Sequence, residues 1–211
     1  MTMKWVASAR LPTPWGLFTL HGFGDSEDSE QAVALTMGLP SHPLPADAPP
    51  LLCRIHSECL TGDAFASLRC DCGPQLHLAL QTIARQGTGL LIYLPQEGRG
   101  VGLLNKVRAY ALQDEGLDTV DANLRLGLLE DAREYSMASD ILRHFGARTL
   151  RLMTNNPAKV QAVERDGFKV VERIPLQIEA QAENEMYLAT KRLRMGHFLE
   201  HEQTEGEEDE R

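Results

Sequence analysis

Three of the four cysteines fall in one short stretch, RIHSECLTGDAFASLRCDCGPQ from Arg54 to Gln75, as Cys59, Cys70 and Cys72. Their spacing is C-x10-C-x-C. Thiolates are soft ligands and select zinc among the common biological metals. Three protein ligands leave a tetrahedral site one open position, the arrangement of a catalytic zinc that holds a water for activation. His56 could instead fill that position and make the site structural. Free thiols are often plain buried hydrophobes, and Cys53, behind the apolar pair Leu51 and Leu52, reads that way. Three thiols within fourteen residues, with acids and glycines between them, read as a metal set rather than a disulfide. Gly62 and Gly73 flank the arms and suit tight backbone turns.

Other chemistry-bearing residues follow. QEGRGVG, Gln96–Gly102, is a glycine-rich loop that opens a helix and could present backbone N–H groups to phosphate. It lacks the Gly-Lys-Ser/Thr ending of a P-loop, and an ordinary glycine turn is the plainer reading. Glu97 and Arg99 lie inside it. Tyr110 sits on the helix after it, where a tyrosine is commonly a core residue with its hydroxyl satisfied. Asp131 and Arg133 form an acid–base pair in a loop, a pattern that is commonly surface decoration. Lys159 falls in the first turn of a helix, where a cation opposes the dipole unless it meets an anion.

The elements that must position these groups alternate between strand and helix. Residues 1–50 read as strands and loops, with strand character at Val6, Leu17, Phe18, Leu20 and Ala32–Thr36. Gly24–Gln31 reads as a hairpin loop and the proline-rich Ser41–Pro50 as an extended connector. Leu51–His56 reads as a strand, Gln75–Gln86 as a helix stopped by Gly87, and Gly89–Leu94 as a buried strand. Leu103–Glu115 reads as a helix, and another covers about Ser136–Phe145. Thr149–Met153 is a strand. Asn156 caps a helix over Pro157–Asp166 that ends at Gly167, and Phe168–Glu172 returns as a strand. This predicts an α/β fold, a layered mixed β-sheet with flanking helices.

The chain has 211 residues, 43% of them hydrophobic, enough for one domain with a substantial core. We expect that domain over residues 1–199, with a strand and loop portion over 1–50 and the metal and ligand core over 51–199. The net charge is −9. Seven acids and one base between Glu200 and Arg211 account for −6 of it, leaving −3 on the remaining 199 residues. The tail 200–211 therefore reads as a solvated, disordered end. A body without basic surplus argues against a nucleic-acid binder. No apolar run approaches about 18 residues, so no membrane span is expected. The N-terminus lacks the apolar stretch of a secretory signal. Reduced thiols fit a cytoplasmic location.

Beyond the cysteines, LPTPWG at Leu11–Gly16, QEGRGVGLLNKVRAYALQDEG at Gln96–Gly116, TNNPAKV at Thr154–Val160 and KRLRMGHFL near Leu199 complete a resemblance to the GTP cyclohydrolase II family. It covers nearly the whole chain. The resemblance implies zinc on Cys59, Cys70 and Cys72. It implies nucleotide contacts at Arg54, Ile55, His56, Ser57, Glu58 and Gln75, and a substrate loop at Glu97, Gly98 and Arg99. Thr119, Thr154 and Lys159 are implied as further GTP contacts. Tyr110 is implied in the base-hydrolysing half of the reaction, and Asp131 with Arg133 at the α-phosphate. Leu124, Pro74 and Ala132 differ from common family residues without touching these roles.

The implied reaction has two halves. A zinc-activated water attacks C8 of guanine, and ring opening with a second hydrolysis releases formate. Separately the α–β phosphate bond breaks and pyrophosphate leaves, with magnesium bridging the phosphates. The family proposal makes Arg133 a covalent nucleophile with Asp131 as its base. A guanidinium pKa above ~12 makes a phosphate clamp the plainer chemistry. The family also implies a homodimer. Three rivals remain. His56–Ser57–Glu58 matches the H-x-E of zinc nucleobase deaminases, without their P-C-x-x-C. A binding-only paralogue is opposed by the intact Tyr110, Asp131 and Arg133. A partial catalyst that retains the formyl group would lack the tyrosine at position 110.

Overall fold

In the computed structural model, which describes residues 2–25, 31–39 and 43–198, the chain opens with three strands. These are β1 (Lys4–Thr13), β2 (Gly16–Gly24) and β3 (Gln31–Met37), paired antiparallel in sequence order. Gly24 pairs with Gln31, as the expected hairpin requires, while residues 26–30 lie outside the described chain. So do residues 40–42, part of the expected connector, and 199–211, which include the acidic tail.

The apolar runs that follow make buried strands. They are β4 (Leu51–Ser57), β5 (Gly89–Leu94) and β6 (Thr149–Met153), and then β7 (Lys169–Ile174). All seven strands form one sheet, ordered β1-β2-β3-β5-β4-β6-β7. β3 joins β5 antiparallel, and β5, β4, β6 and β7 are mutually parallel neighbours. The α/β mixed sheet expected from sequence is the fold observed.

Among the described residues six helices connect these strands and a seventh follows the last. α1 (Leu60–Asp63) and α2 (Cys72–Gln86) lie between β4 and β5. α3 (Leu103–Asp114), α4 (Thr119–Arg125) and α5 (Ser136–His144) lie between β5 and β6. α6 (Pro157–Arg165) links β6 to β7, and α7 (Glu185–Leu193) follows β7. Alternation along β4 divides the core. Leu51, Cys53 and Ile55 pack with Ile141, Leu142 and Val163 of α5 and α6. Leu52 packs on the other face with Ala79, Leu80 and Ile83 of α2. That period places Arg54 and His56 on the α2 side. Cys53 is a core thiol as expected, its pKa pushed up to about 12 by burial.

The chain leaves β4 for β5 on one side and later returns to β6 on the other side of β4. Ligands in open α/β sheets bind outside the carboxyl ends of strands where the order reverses in this way. Around β4, the segments leaving β4, β5 and β6 all emerge at this end. Three of the helices, α1, α4 and α7, were not expected. The helix expected over Leu103–Glu115 is α3, and the glycine loop before it forms a 3-10 turn, Glu97–Gly100. Gly98 and Arg99 interrupt it with φ of 62° and 61°.

Candidate active site

Cys59 ends the segment leaving β4, Cys70 lies just before α2, and Cys72 is its first residue. Their sulfurs lie within 4.8 Å of one another and could hold a metal ion. Cys59 and Cys70 Sγ are 3.7 Å apart. Cys59 is held well below the usual thiol range because the Cys70 and Cys72 thiols donate to it, with Lys106 adding to the effect. Cys70 is pushed up to about 11 in return, and Cys72 is raised further.

His56 does not join it. Its Nε2 meets both Asp63 carboxylate oxygens at 3.1 Å, and its ring stacks on Tyr93 at 5.5 Å. Because a carboxylate only accepts, Nε2 carries the proton. Nδ1 is left buried without a partner among the described residues. Neither His56 nitrogen joins the thiol group, and the three cysteines line a cleft.

The flanking glycines have a different reason from the one expected. Neither Gly62 nor Gly73 adopts positive φ. A Cβ on Gly62 would meet Cys70 Sγ at 2.9 Å, and one on Gly73 would meet the Gly62 carbonyl oxygen at 2.2 Å. They let α1 and α2 approach closely enough to gather the thiols. Gly73→Ala is expected to cost about 1–3 kcal/mol by overpacking. It should also weaken metal retention, because the Gly62 backbone must move away from Cys72. Thermal unfolding and metal content would check both effects.

The glycine-loop residues Glu97, Gly98 and Arg99 line one cleft with the cluster. Glu97 Oε2 accepts from the Leu60 amide at 2.6 Å, and Oε1 from the Gly98 amide at 2.7 Å. Lys106 on α3 bridges the two parts, donating to Glu97 Oε1 at 2.8 Å and to Cys59 Sγ at 3.1 Å. One turn on, the Tyr110 hydroxyl lies 3.4 Å from Thr61 Oγ1, itself 3.7 Å from Cys59 Sγ. Burial raises the Tyr110 pKa, so its hydroxyl stays protonated. Ser57, Glu58, Tyr110 and Thr119 line the same cleft as the three cysteines, a space of about 600 Å³.

That cleft adjoins a second one of about 540 Å³, and Ser57, Cys72, Arg99, Arg133 and Tyr187 line both. In the second, Arg54, Arg99, Arg133, Lys159 and Lys191 supply five cationic side chains, and no acidic side chain lines it among the described residues. Gln75 and Thr154 line it too. Arg54 donates to Gln75 Oε1 at 2.8 Å and to the Met153 carbonyl at 3.0 Å. Lys159 is buried, and its amine donates to the Ile55 carbonyl at 2.8 Å. Its pKa is held well below normal by burial first and then by Arg54 and Arg133. Ile55 enters only through its backbone, since its side chain lies in the core.

Arg133 is brought to this groove by the glycine loop, while Asp131 lines neither cleft and reaches it only through Arg133. The Ala132 amide donates to the Arg99 carbonyl at 3.0 Å. A Cβ on Gly100, at φ 85°, would come within 3.0 Å of the Ala132 backbone. Arg133 donates to Asp131 through Nε at 2.8 Å and a terminal nitrogen at 2.5 Å. Burial opposes the guanidinium charge, but Asp131 outweighs it and raises the Arg133 pKa. Asp131 is held below the usual carboxylate range by Arg133 against its own burial.

Sequence reasoning missed several lining residues, namely Lys106, Tyr187, Lys191, Asn155, Asn156 and His197. Lys106 had a signal, since it lies one helical turn from Tyr110 and shares its face.

Comparison with known proteins follows this geometry. The sequence profile of the GTP cyclohydrolase II family matches residues 4–175. A Shewanella sp. (strain ANA-3) protein named GTP cyclohydrolase-2 is 55% identical over 199 residues, which cover 94% of this chain and 96% of that protein. The Shewanella sediminis (strain HAW-EB3) protein of that name is 54% identical over 210 residues, 100% of both chains. Among solved structures, a two-domain 3,4-dihydroxy-2-butanone 4-phosphate synthase from A. baumannii aligns with a TM-score of 0.44 and 16% identity, over 85% of this chain and 41% of that one. That likeness is too distant to argue from.

Proposed function

The chain belongs to the GTP cyclohydrolase II family, hydrolases of GTP in riboflavin biosynthesis, and from that premise we propose the chemistry of its groove. The products are 2,5-diamino-6-ribosylamino-4(3H)-pyrimidinone 5′-phosphate, formate and pyrophosphate. One observation carries the reading. A single groove has three clustered thiols at one end and five cationic side chains with no lining acid at the other. A nucleoside triphosphate has the matching asymmetry, a neutral base at one end and a polyanion at the other.

The donors fit zinc. The 3.7 Å between Cys59 and Cys70 sulfurs compares with about 3.8 Å for two thiolates on a tetrahedral zinc at ~2.3 Å. Cys59, Cys70 and Cys72 would hold one ion. Zinc bound there would supply a water activated near neutral pH for attack at guanine C8. Magnesium would accompany the phosphates and offset their charge.

The chain's own groups do the rest. Lys106 offsets thiolate charge at Cys59 and fixes Glu97. Tyr110 holds or moves a proton beside the reacting ring, from a hydroxyl that burial keeps protonated. Ser57, Glu58, Gly98 and Thr119 bound the base and ribose. Arg54, His56, Gln75, Arg99, Thr154 and Lys159 receive the phosphate half. Asp131 keeps Arg133 charged and aimed, which suits a clamp on the α-phosphate and opposes a nucleophile, because a nucleophilic guanidine must first lose its proton.

We read residues 1–199 as the catalytic unit and 200–211 as an appended tail. We also read the protein as a cytoplasmic homodimer that binds neither nucleic acid nor membrane. No helix among the described residues is long and apolar enough to cross a membrane.

The free Lys159 amine has a lowered pKa, and an arriving polyanion raises it. Binding therefore takes up a proton at any pH between the free and bound values. Affinity falls across that window as pH rises, by at most about tenfold per unit for one proton. Calorimetry in two buffers of different ionisation enthalpy should show net proton uptake, and Lys159→Met should reduce it.

Metal-stripped protein tests the whole reading. Adding zinc should restore formate release from GTP at about one ion per chain, and magnesium alone should not. Ammonia in place of formate would sink the reading and favour base deamination.

A further inference from the structure

We infer that α7 and the turn after it supply three groups, Tyr187, Lys191 and His197, to the polyanion half of the groove. This rests on the GTP reading above. All three residues lie beyond the segment matched by the family profile, which ends at residue 175. All three line the cationic cleft.

The segment is tied down on three sides. Arg194 donates to Asp118 at 2.6 Å and to Asp121 at 2.8 Å, at the start of α4. Lys191 donates to the buried Asp71, between two of the cysteines, at 2.5 Å. The Phe198 amide donates to the Asn155 carbonyl at 2.9 Å, and Arg173 lies over the Phe198 ring at 4.8 Å. These ties fix a wall against the strand ends.

The wall's polar groups face the cleft. An ammonium has three donors, and Lys191 spends one on Asp71, leaving two for a ligand. Its nitrogen lies 4.5 Å from the Tyr187 ring centroid, and the Arg99 guanidinium lies 5.9 Å from the same centroid. Tyr187 therefore holds one cation from each side of the groove. His197 Nε2 is buried and has no partner among the described residues. Both terminal nitrogens of Arg99 are in the same condition. Buried donors left unpaired are costly, and a ligand bearing several acceptor oxygens would satisfy them together. A phosphate oxygen would select the His197 tautomer protonated at Nε2. A triphosphate chain is the class of ligand that fits.

The test uses inorganic tripolyphosphate with magnesium as the probe, measured by calorimetry on the full, zinc-loaded chain. His197→Ala should weaken tripolyphosphate binding roughly 10- to 150-fold, the effect of one lost hydrogen bond to a charged group. The KM for GTP should rise by a similar factor, with kcat within about twofold. His197→Gln, which keeps an N–H donor, should recover most of the loss. Tyr187→Leu, which releases both flanking cations, should weaken binding independently and serves if His197→Ala does not fold. Folded, zinc-replete variants that bind tripolyphosphate like the wild type would overturn the inference. Wild-type protein that binds tripolyphosphate but releases no formate from GTP would sink the reaction reading instead and leave this one standing.

Discussion

Replacing Cys70 with serine is expected to abolish formate release while sparing the phosphate half of the groove. Cys70 gives one of only three sulfur donors, and among the described residues no other His, Cys, Asp or Glu joins the set. His56 is no ready substitute, because neither of its ring nitrogens joins the thiol group. A serine hydroxyl is a harder, poorer ligand for zinc than a thiolate. Losing an outer-shell partner of a metal site costs roughly 10–100-fold in affinity or activity, and losing a ligand should exceed that. The five cationic side chains of the second cleft are untouched by the change. Metal content should therefore fall with formate release, while GTP still binds and pyrophosphate release persists in part. Wild-type formate release from a variant without zinc would show that the thiol cluster is structural.

Tyr110→Phe should separate the reaction differently. The phenol lies at the thiol end, against Thr61 and beside Lys106, whose nitrogen is 5.6 Å from its ring centroid. The ring's packing survives the change, so fold, zinc content and GTP binding should stay near wild type. Proton transfer by a positioned side chain contributes about 10²–10⁴-fold. Formate release should fall by about that factor while pyrophosphate release continues. A ring-opened product that keeps its formyl group should accumulate. Equal loss of both products would place Tyr110 in substrate binding instead.

Strands and the single-element motifs were legible because their signals are local. Gly89–Leu94 and Thr149–Met153 are short apolar runs, and both are strands with those bounds. Asn156 and Pro157 start α6 as expected, with the Asn156 side chain accepting from the Ala158 amide. The three cysteines converge as their spacing suggested.

What stayed hidden depends on contacts between distant segments. α7 buries Thr190 and Lys191, polar residues whose burial depends on what they meet elsewhere in the chain. α4 is only seven residues long. Lysines read as surface residues, yet Lys106 and Lys159 are buried because the partners they meet lie 47 and 104 residues away. The tight spacing at Gly73 is invisible in sequence for the same reason, since its neighbour Gly62 belongs to another helix.

The most direct test of the account follows GTP labelled with carbon-13 at C8, incubated with the zinc-loaded protein and magnesium, by carbon and phosphorus NMR together. Labelled formate and pyrophosphate appearing in near-equal amounts would mean that both ends of one groove act on the same nucleotide. Pyrophosphate with the label still in an intact guanine ring would contradict it, leaving the cationic half as a phosphate site and the thiol cluster without a part in catalysis.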